Sequence, residues 1–313
     1  MSRGYDFDER DDREQEPQPR AQPERTPVTQ GRGGSSQDVP VRDRQRSRRH
    51  RVQERLPDPR TNGRTEVRAL GRRYELTVRE RDTLREIGRF RTIATDDLLK
   101  YRYGGKTAAL RKDLVHLQQS GLLQRRSLSV GKNRDTLVIV VLTREGAYVV
   151  RQDDKLPEQQ SVYSGFVKPA EVPHDAAIYQ MYQAEAAGIE VRGCKIRRVV
   201  LDYEIKKEVY SKLARERDAG ALEYSRRQGE IAGEQGLPVV DGKIALPDLR
   251  IEYETPEGEV ERVDLELATE HYHRGHMATK VRAGFKMYGF VSTSRGRSAQ
   301  WEGRELTATV LSL

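Results

Sequence analysis

Two carboxylates, Asp248 and Glu266, occupy positions in a predicted hairpin where paired oxygen ligands could support hydrolysis. In the segment KIALPDLRIEYETPEGEVERVDLELATE, apolar and charged residues alternate on both sides of the five-residue turn TPEGE, which predicts two antiparallel strands. Counting outward from the turn pairs Glu254 with Val260, Glu252 with Arg262, Arg250 with Asp264, and Asp248 with Glu266. The second and third pairs join opposite charges, which supports this register.

Facing carboxylates repel each other unless a cation lies between them. A Mg²⁺ ion held by Asp248 and Glu266 would resolve that repulsion and could activate water for attack on a phosphodiester. The alternative is an exposed sheet face that simply carries mixed charges. Both interpretations stay open on register alone.

Histidines near these acids are a weaker metal signal. HYHRGH supplies His271, His273 and His276 close to Glu266 and Glu270, but the spacing fits no standard zinc motif. We therefore interpret these residues as polar side chains at the start of a helix, with metal binding as the alternative. His174 is interpreted as structural, near the beginning of another helix.

A second chemical signal is a cationic helix, KTAALRKDLVHLQQSG. With Leu110, Leu114 and Leu117 directed inward, the outward residues are Lys106, Thr107, Arg111, Lys112 and Val115. Such side chains suit contacts with phosphates and base edges in a DNA major groove. The following segments, LLQRRSLSV and TLVIVVL around GKNRD, predict a β-hairpin with four cations for the DNA backbone: Arg125, Arg126, Lys132 and Arg134.

The elements that position this helix predict a winged helix-turn-helix domain over residues 73–152. TVRERDTLREIGRFR begins with a capping box, Thr77 and Glu80, and its apolar face comprises Val78, Leu84, Ile87 and Phe90. Thr95 is expected to cap a second helix, DDLLKYRY. After the hairpin, TREGAYVVRQ predicts a closing helix that could mediate dimerisation. A winged helix that contacts proteins instead of DNA is the alternative.

A polar linker, residues 153–172, precedes a second predicted domain over residues 173–313. HDAAIYQMYQAEAAG predicts a helix, CKIRRVVLDYEI a strand, and KKEVYSKLARERDAGALEYSRRQGEIAGE one long, charged, solvated helix. Trp301 and the closing strand ELTATVLSL are expected to complete the sheet. The overall fold class is therefore predicted to be α+β.

Residues 1–72 predict a disordered tail because they are rich in Arg, Pro, Gln, Asp, Gly and Ser and lack apolar periodicity. The tail is interpreted either as an arm that contacts phosphates or as a solvated linker. Its arginine run comprises Arg42, Arg44, Arg46, Arg48, Arg49, Arg51 and Arg55.

Composition narrows the class of protein further. The 313 residues carry 57 Lys+Arg against 49 Asp+Glu, a net charge of +8 that permits a polyanionic partner. Cys194 is the only cysteine, which excludes an intrachain disulfide framework and any multi-thiolate zinc site. The absence of a long apolar run and of an apolar leader favours a cytoplasmic protein without membrane association.

LPDLRIEY, VDLELATE and KVRAGFKMYGF resemble the acidic hairpin and following helix of the PD-(D/E)XK nuclease fold. Together with the winged helix and HDAAIYQMY, they resemble the bacterial replication-relaxation family over residues 75–295. That fold's signature expects Lys two residues after the second acid, where this chain has Ala268. Lys280 or Lys286, expected on the next helix, could substitute for it.

The resemblance implies a DNA-binding protein of plasmid or mobile-element replication and mobilisation, or of their regulation, with a degenerate nuclease-like domain. The implied partners are double-stranded DNA, relaxation or replication proteins, and a second copy of the chain. The alternative is a Mg²⁺-dependent endonuclease with Asp248 and Glu266 as metal ligands and Lys280 or Lys286 as catalytic residues. A partner-binding module without DNA affinity is a third hypothesis.

Overall fold

The protein is represented by a computed structural model that describes residues 63–130, 135–216, 220–268, 274–290 and 306–308. These residues form an α+β molecule whose largest sheet is mixed. None of the helices described is both long enough and apolar enough to cross a membrane. Several predicted features lie outside the described residues: the arginine run of residues 42–55, Lys132, Arg134, Glu270, His271, His273 and Trp301.

A β-hairpin occupies residues 64–77, most of which composition assigns to the tail. Its strands are β1 (Arg64–Ala69) and β2 (Arg72–Thr77). The turn residues Leu70 and Gly71 have φ values of 50° and 75°, as in the hairpin turns that match strand twist. Tyr74 and Leu76 are buried in the core. The predicted tail boundary at residue 72 is therefore too late, because alternating arginine and glutamate mask the apolar face of this hairpin.

Three helical segments follow the hairpin. They are α1 (Val78–Gly88), α2 (Thr95–Asp97), which continues into a π-helical turn (Leu98–Arg102), and α3 (Thr107–Gln119). The capping box on α1 is confirmed: Glu80 N donates to Thr77 Oγ1 at 3.1 Å, and Thr77 N donates to Glu80 Oε2 at 2.8 Å. Val78, predicted on the apolar face, is 50% exposed instead.

The second helix is shorter and less regular than predicted. Thr95 does not cap it, since the Thr95 hydroxyl donates to Val138 O at 3.2 Å and so joins the helix to the neighbouring strand. A three-stranded antiparallel sheet in the order β3-β5-β4 lies beside these helices. Its strands are β3 (Ile93–Ala94), β4 (Leu123–Val130) and β5 (Asp135–Leu142), and α4 (Arg144–Arg151) follows. The predicted β4–β5 hairpin is confirmed over eight residue pairs.

The rest of the described chain builds a five-stranded sheet in the order β12-β11-β10-β9-β6. Only the β10–β11 pair is parallel, so the sheet is mixed. The strands are β6 (Lys195–Leu201), β9 (Leu249–Glu254), β10 (Val260–Ala268), β11 (Lys286–Phe290) and β12 (Leu306–Ala308), and the two-stranded hairpin is β7 (Val239–Val240) with β8 (Lys243–Ile244). The helices are α5 (Val172–Val191), α6 (Asp202–Leu213), α7 (Ala221–Gln235) and α8 (Arg274–Arg282).

The predicted β9–β10 register is confirmed residue by residue from Glu254–Val260 to Arg250–Asp264. Two expectations for this region are wrong. The strand predicted from CKIRRVVLDYEI ends at Leu201, where α6 begins, and the long charged helix is two helices that pack on each other around Val209 and Ile231. Lys286, expected on the last helix, begins β11.

Helix α5 lies at the centre of the hydrophobic core. Tyr179 and Met181 are fully buried, and one continuous apolar cluster includes residues of β2, α1, α3, α5, β9 and β10. Phe90, which follows α1, meets Tyr179 edge to face with ring centroids 5.0 Å apart. The cationic helix and the acidic hairpin are thus positioned by one shared core.

Candidate nucleic-acid interface and acidic site

The exposed side of α3 has the composition predicted for it. Leu110, Leu114 and Leu117 are at most 7% exposed, as predicted, which turns the opposite side of the helix outward. We call this side the α3 cationic face; its exposed residues are Lys106, Thr107, Arg111, Lys112 and Val115. Two adjacent cations on a solvent-exposed helix can reach phosphates without the desolvation that burial imposes.

The only acid of α3, Asp113, is turned away from this face. Asp113 is 2% exposed and accepts two hydrogen bonds from Arg79, from Nε at 2.6 Å and from Nη2 at 2.9 Å. Tyr103 donates a third at 3.0 Å. The bond to Asp113 raises the pKa of Arg79 further above its ordinary value. The α3 cationic face therefore carries positive charge with no carboxylate beside it on the helix.

An open groove runs between α3 and β1. It is lined by Arg64, Thr107, Ala108, Arg111, Lys112, Val115, His116 and Gln119. The Arg64 guanidinium lies 3.1 Å from the His116 ring and 3.2 Å from the carboxylate of Glu80, which is fully buried. Sequence reasoning missed Arg64 because it assigned the residue to the tail.

The β4–β5 hairpin exposes Arg125 and Arg126, which point to opposite faces of β4 because side chains alternate along a strand. The Arg126 guanidinium lies 4.1 Å from the centroid of the Phe166 ring, so a stacking contact holds it in place. On the same side, Val130 and Leu137 pack against the first turns of α5. Among the described hairpin residues, Arg125 is therefore the cation on the face opposite that packing.

The acidic site lies where β9 begins. The backbone ladder ends at Leu249–Leu265, one pair before the predicted Asp248–Glu266 pair, and Asp248 N donates to Leu265 O at 3.1 Å. Leu267 N donates to Asp248 Oδ2 at 2.9 Å, which binds the carboxylate to the end of β10. Glu266, next to Leu267, is 1% exposed.

Lys280 provides the cation at this site. Its Nζ lies 2.9 Å from Glu266 Oε1 and donates to Leu246 O at 2.6 Å. Its charge also helps to lower the pKa of Asp248. The structure therefore brings together three of the four predicted catalytic residues, Asp248, Glu266 and Lys280.

The fourth, Lys286, lies on the other face of the sheet. Because Lys286 is paired with Leu265 in the parallel β10–β11 register, its side chain and that of Glu266 project from opposite faces. Lys286 Nζ lies 2.6 Å from Oε2 of Glu185, a buried residue of α5 that also accepts a hydrogen bond from Tyr288.

His174, in the first turn of α5, is the second cation near the acids. Its Nε2 lies 3.6 Å from Asp248 Oδ2, and its Nδ1 lies 3.7 Å from Asp175 Oδ1. Burial alone would lower the pKa of His174, but Asp175 and Asp248 outweigh burial and raise it to about 10. For the acid Asp248, burial by itself would raise the pKa. His174 and the Leu267 amide outweigh burial, so the net shift of the Asp248 pKa is downward.

The fit to a divalent ion is limited. Asp248 and Glu266 offer the oxygen chemistry that Mg²⁺ requires, but no cluster of three or more His, Cys, Asp or Glu occurs among the residues that the structure describes. Lys280 already contacts Glu266, and His174 lies beside Asp248. As arranged, the site favours internal ion pairs.

No protein-family model, curated protein or solved structure matches this chain in the comparisons made with them.

Proposed function

We propose that the protein binds double-stranded DNA of a replicon or operator through the α3 cationic face, as a non-enzymatic accessory or regulator of replication-relaxation type. The observation that carries the proposal is that Arg111 and Lys112 are exposed while Asp113 is buried and held by Arg79. An exposed cationic helix face suits docking in the major groove, because its cations can neutralise phosphates.

The surrounding elements support a winged helix-turn-helix. The chain order is α1, β3, α2 with its π-helical turn, α3 and then the β4–β5 hairpin, and β3, β5 and β4 form one antiparallel sheet. In that arrangement α3 enters the major groove and the hairpin contacts the adjacent backbone. Arg125 is then the described hairpin residue best placed to reach a phosphate.

The test compares variants of the full chain in mobility-shift titrations on a mixed-sequence duplex over a range of salt concentrations. Each phosphate contact contributes about −0.9 to the slope of log affinity against log salt. Arg111→Ala and Lys112→Ala should each weaken binding and make the slope shallower by about one unit. Lys195→Ala, an exposed lysine on β6, is the matched control and should leave both quantities unchanged.

Comparison between variants matters because one of the two interpretations of the arginine run of residues 42–55 is an arm that contacts phosphates. Unchanged affinity and slope in Arg111→Ala and Lys112→Ala would reject α3 as the DNA-binding element, even if the whole protein binds DNA. A flat salt response of the native protein would reject the DNA-binding proposal itself.

The second candidate function is a metal-dependent endonuclease. One observation favours it: Lys280 Nζ lies 2.9 Å from Glu266, so the chain has an ammonium group at the acidic site despite Ala268 in the signature position. Bound Mg²⁺ would supply charge neutralisation and an activated water. Asp248 and Glu266 would hold it, and Lys280 would stabilise negative charge that develops on a phosphate.

Supercoiled plasmid with added Mg²⁺ or Mn²⁺ separates the two functions. The endonuclease predicts nicking by the native protein that Asp248→Asn and Lys280→Met abolish. Nicking that these variants retain belongs to a contaminant, and absence of nicking leaves the accessory function alone.

A further inference from the structure

Helix α6 exposes a strip of aromatic and cationic side chains that no function described above uses. We call this the tyrosine strip; it comprises Tyr203, Lys206, Lys207 and Tyr210. At 3.6 residues per turn, these four side chains lie within about 100° of one another around the helix. Ile205, Val209 and Leu213 are the buried residues of α6 and pack against α7, so the core does not need the two tyrosines.

The two rings are unusually open. Tyr203 and Tyr210 are 55% and 56% exposed, more than any other aromatic side chain in the described part of the chain. Exposed tyrosine rings next to lysines suit nucleic-acid bases, because stacking needs one accessible ring face and the adjoining phosphates need cations.

Two lysines lie on the strip, and the carboxylates beside them form ion pairs. The nearest carboxylates lie to either side of it and are already engaged: Asp202 binds Lys206 at 2.8 Å, and Glu204 pairs with Arg198. Lys207 is exposed between the two tyrosines. The Arg91 guanidinium lies 5.7 Å from the Tyr203 ring at the beginning of the strip and is paired there with Glu171 and Asp175.

The strip starts beside the acidic site. Asp202 N, at the start of α6, donates to Asp248 O at 3.0 Å. Burial lowers the pKa of Lys206, but Asp202 and, more weakly, Asp248 raise it, and the net shift is upward. A strand lying along α6 would therefore lead toward the Asp248 end of β9.

Spacing selects the form of nucleic acid. Residues 203 and 210 are seven apart, so the rings are separated by about 10 Å along the helix axis. Bases stacked in a duplex strand follow each other every ~3.4 Å and have both faces covered. The two rings can therefore take only bases that are separated from one another and unpaired.

We propose that the tyrosine strip binds single-stranded DNA, with one unpaired base stacked on each of Tyr203 and Tyr210 and an intervening phosphate held by Lys207. This activity is separate from duplex binding by α3. It would let the protein hold a locally opened strand next to the acidic site.

The experiment titrates a short, fluorescein-labelled oligothymidylate with the full-length protein and follows fluorescence anisotropy. Loss of one stacking contact corresponds to roughly 5- to 150-fold weaker binding. Tyr203→Ala and Tyr210→Ala should each fall in that range, whereas Tyr210→Phe keeps the ring and should stay within about twofold of the native protein. Lys207→Ala should reduce the salt slope by about 0.7, the value for one phosphate of a single strand.

Two controls make the outcome decisive. Leu222→Ala removes an exposed apolar side chain, 88% exposed, from the neighbouring α7 and should change nothing. The same tyrosine variants should bind the mixed-sequence duplex normally, since α3 is intact. Oligothymidylate binding that survives Tyr203→Ala/Tyr210→Ala would overturn the proposal, and so would its loss in Arg111→Ala/Lys112→Ala, because α3 would then bind both forms of DNA. The proposal would also be overturned if the tyrosine variants changed the mass of the protein in light scattering but left oligothymidylate binding unchanged. The strip would then govern self-association instead.

Discussion

Replacing the buried carboxylate of Asp97 by an amide should make the protein more stable at neutral and alkaline pH. Asp97 lies at the end of α2, is 8% exposed, and accepts hydrogen bonds from Gln180 Nε2 on α5 at 2.9 and 3.1 Å. Burial raises the pKa of Asp97 from 3.8 to about 6, because the bonds from Gln180 only partly offset the lost hydration.

The sign and size follow from proton binding. A carboxyl group whose pKa is higher in the folded than in the unfolded state favours folding below pH ~4 and loses that contribution as pH rises through about 6. Two pKa units correspond to about 3 kcal/mol at pH 8. Asp97→Asn escapes this loss but gives up a favourable charge in the first turn of a helix, worth about 0.3–1 kcal/mol. The expected net gain is about 2 kcal/mol.

Urea denaturation of the native protein and Asp97→Asn at pH 8 and pH 4 measures the effect. The variant should have the higher midpoint at pH 8, and the difference should disappear near pH 4. Asp96→Asn, one residue earlier and exposed, is the matched control and should shift stability by less than about 0.5 kcal/mol. A variant that is less stable than the native protein at pH 8 would show that the Asp97–Gln180 contact outweighs the burial of charge.

Three further predictions use the same assay. Lys280→Met leaves Glu266 buried without its lysine and should cost about 3 kcal/mol or more, whereas adding Glu266→Gln should recover part of that loss. The pKa of His174 is raised to about 10, so the stabilisation from its ion pairs should be complete below pH ~6.5 and fade as pH rises toward 10. His174→Gln should flatten this decline in stability at alkaline pH. An unchanged dependence of stability on pH would contradict the ion pairs assigned to His174. Gly146→Ala would place a Cβ atom 1.9 Å from Leu122 O and should destabilise the protein by at least ~2 kcal/mol. Gly229→Ala, in open space on α7, should instead stabilise the protein by about 1 kcal/mol. Equal effects of the two substitutions on stability would contradict the close approach of Gly146 to Leu122.

The sequence predicted those strands, turns and helix caps that are determined by residues close together in the chain. The β9–β10 register follows from charge alternation on both sides of a short turn, and the capping box follows from Thr77 and Glu80 three residues apart. The apolar face of α3 could likewise be read from leucines at helical spacing. Val78 shows the limit: it is nine residues before Ile87, which at 3.6 residues per turn puts it on the opposite side of α1, and it is 50% exposed.

The contacts that define the acidic site could not be predicted in this way. His174 and Asp248 are 74 residues apart, and Lys280 meets Glu266 only because α8 packs beside the end of β10. Residue spacing in the sequence does not predict these contacts. The His174–Asp248 contact depends on how α5 crosses the sheet, and the Lys280–Glu266 contact depends on where α8 lies. The separation of Lys280 from Lys286 has the same origin: the chain enters β11 at Lys286 and turns that side chain to the α5 face.

The first turns of α5 contact both the β4–β5 hairpin and the acidic site. Val172 and Ala176 lie under the β4–β5 hairpin, packed with Val130 and Leu137, while His174 reaches from the same stretch to Asp248. A rigid helix cannot shift at Val172 without also shifting at His174. If the hairpin contacts a duplex as proposed, a tilt of the hairpin that displaces Val172 would also displace the His174 ring relative to Asp248.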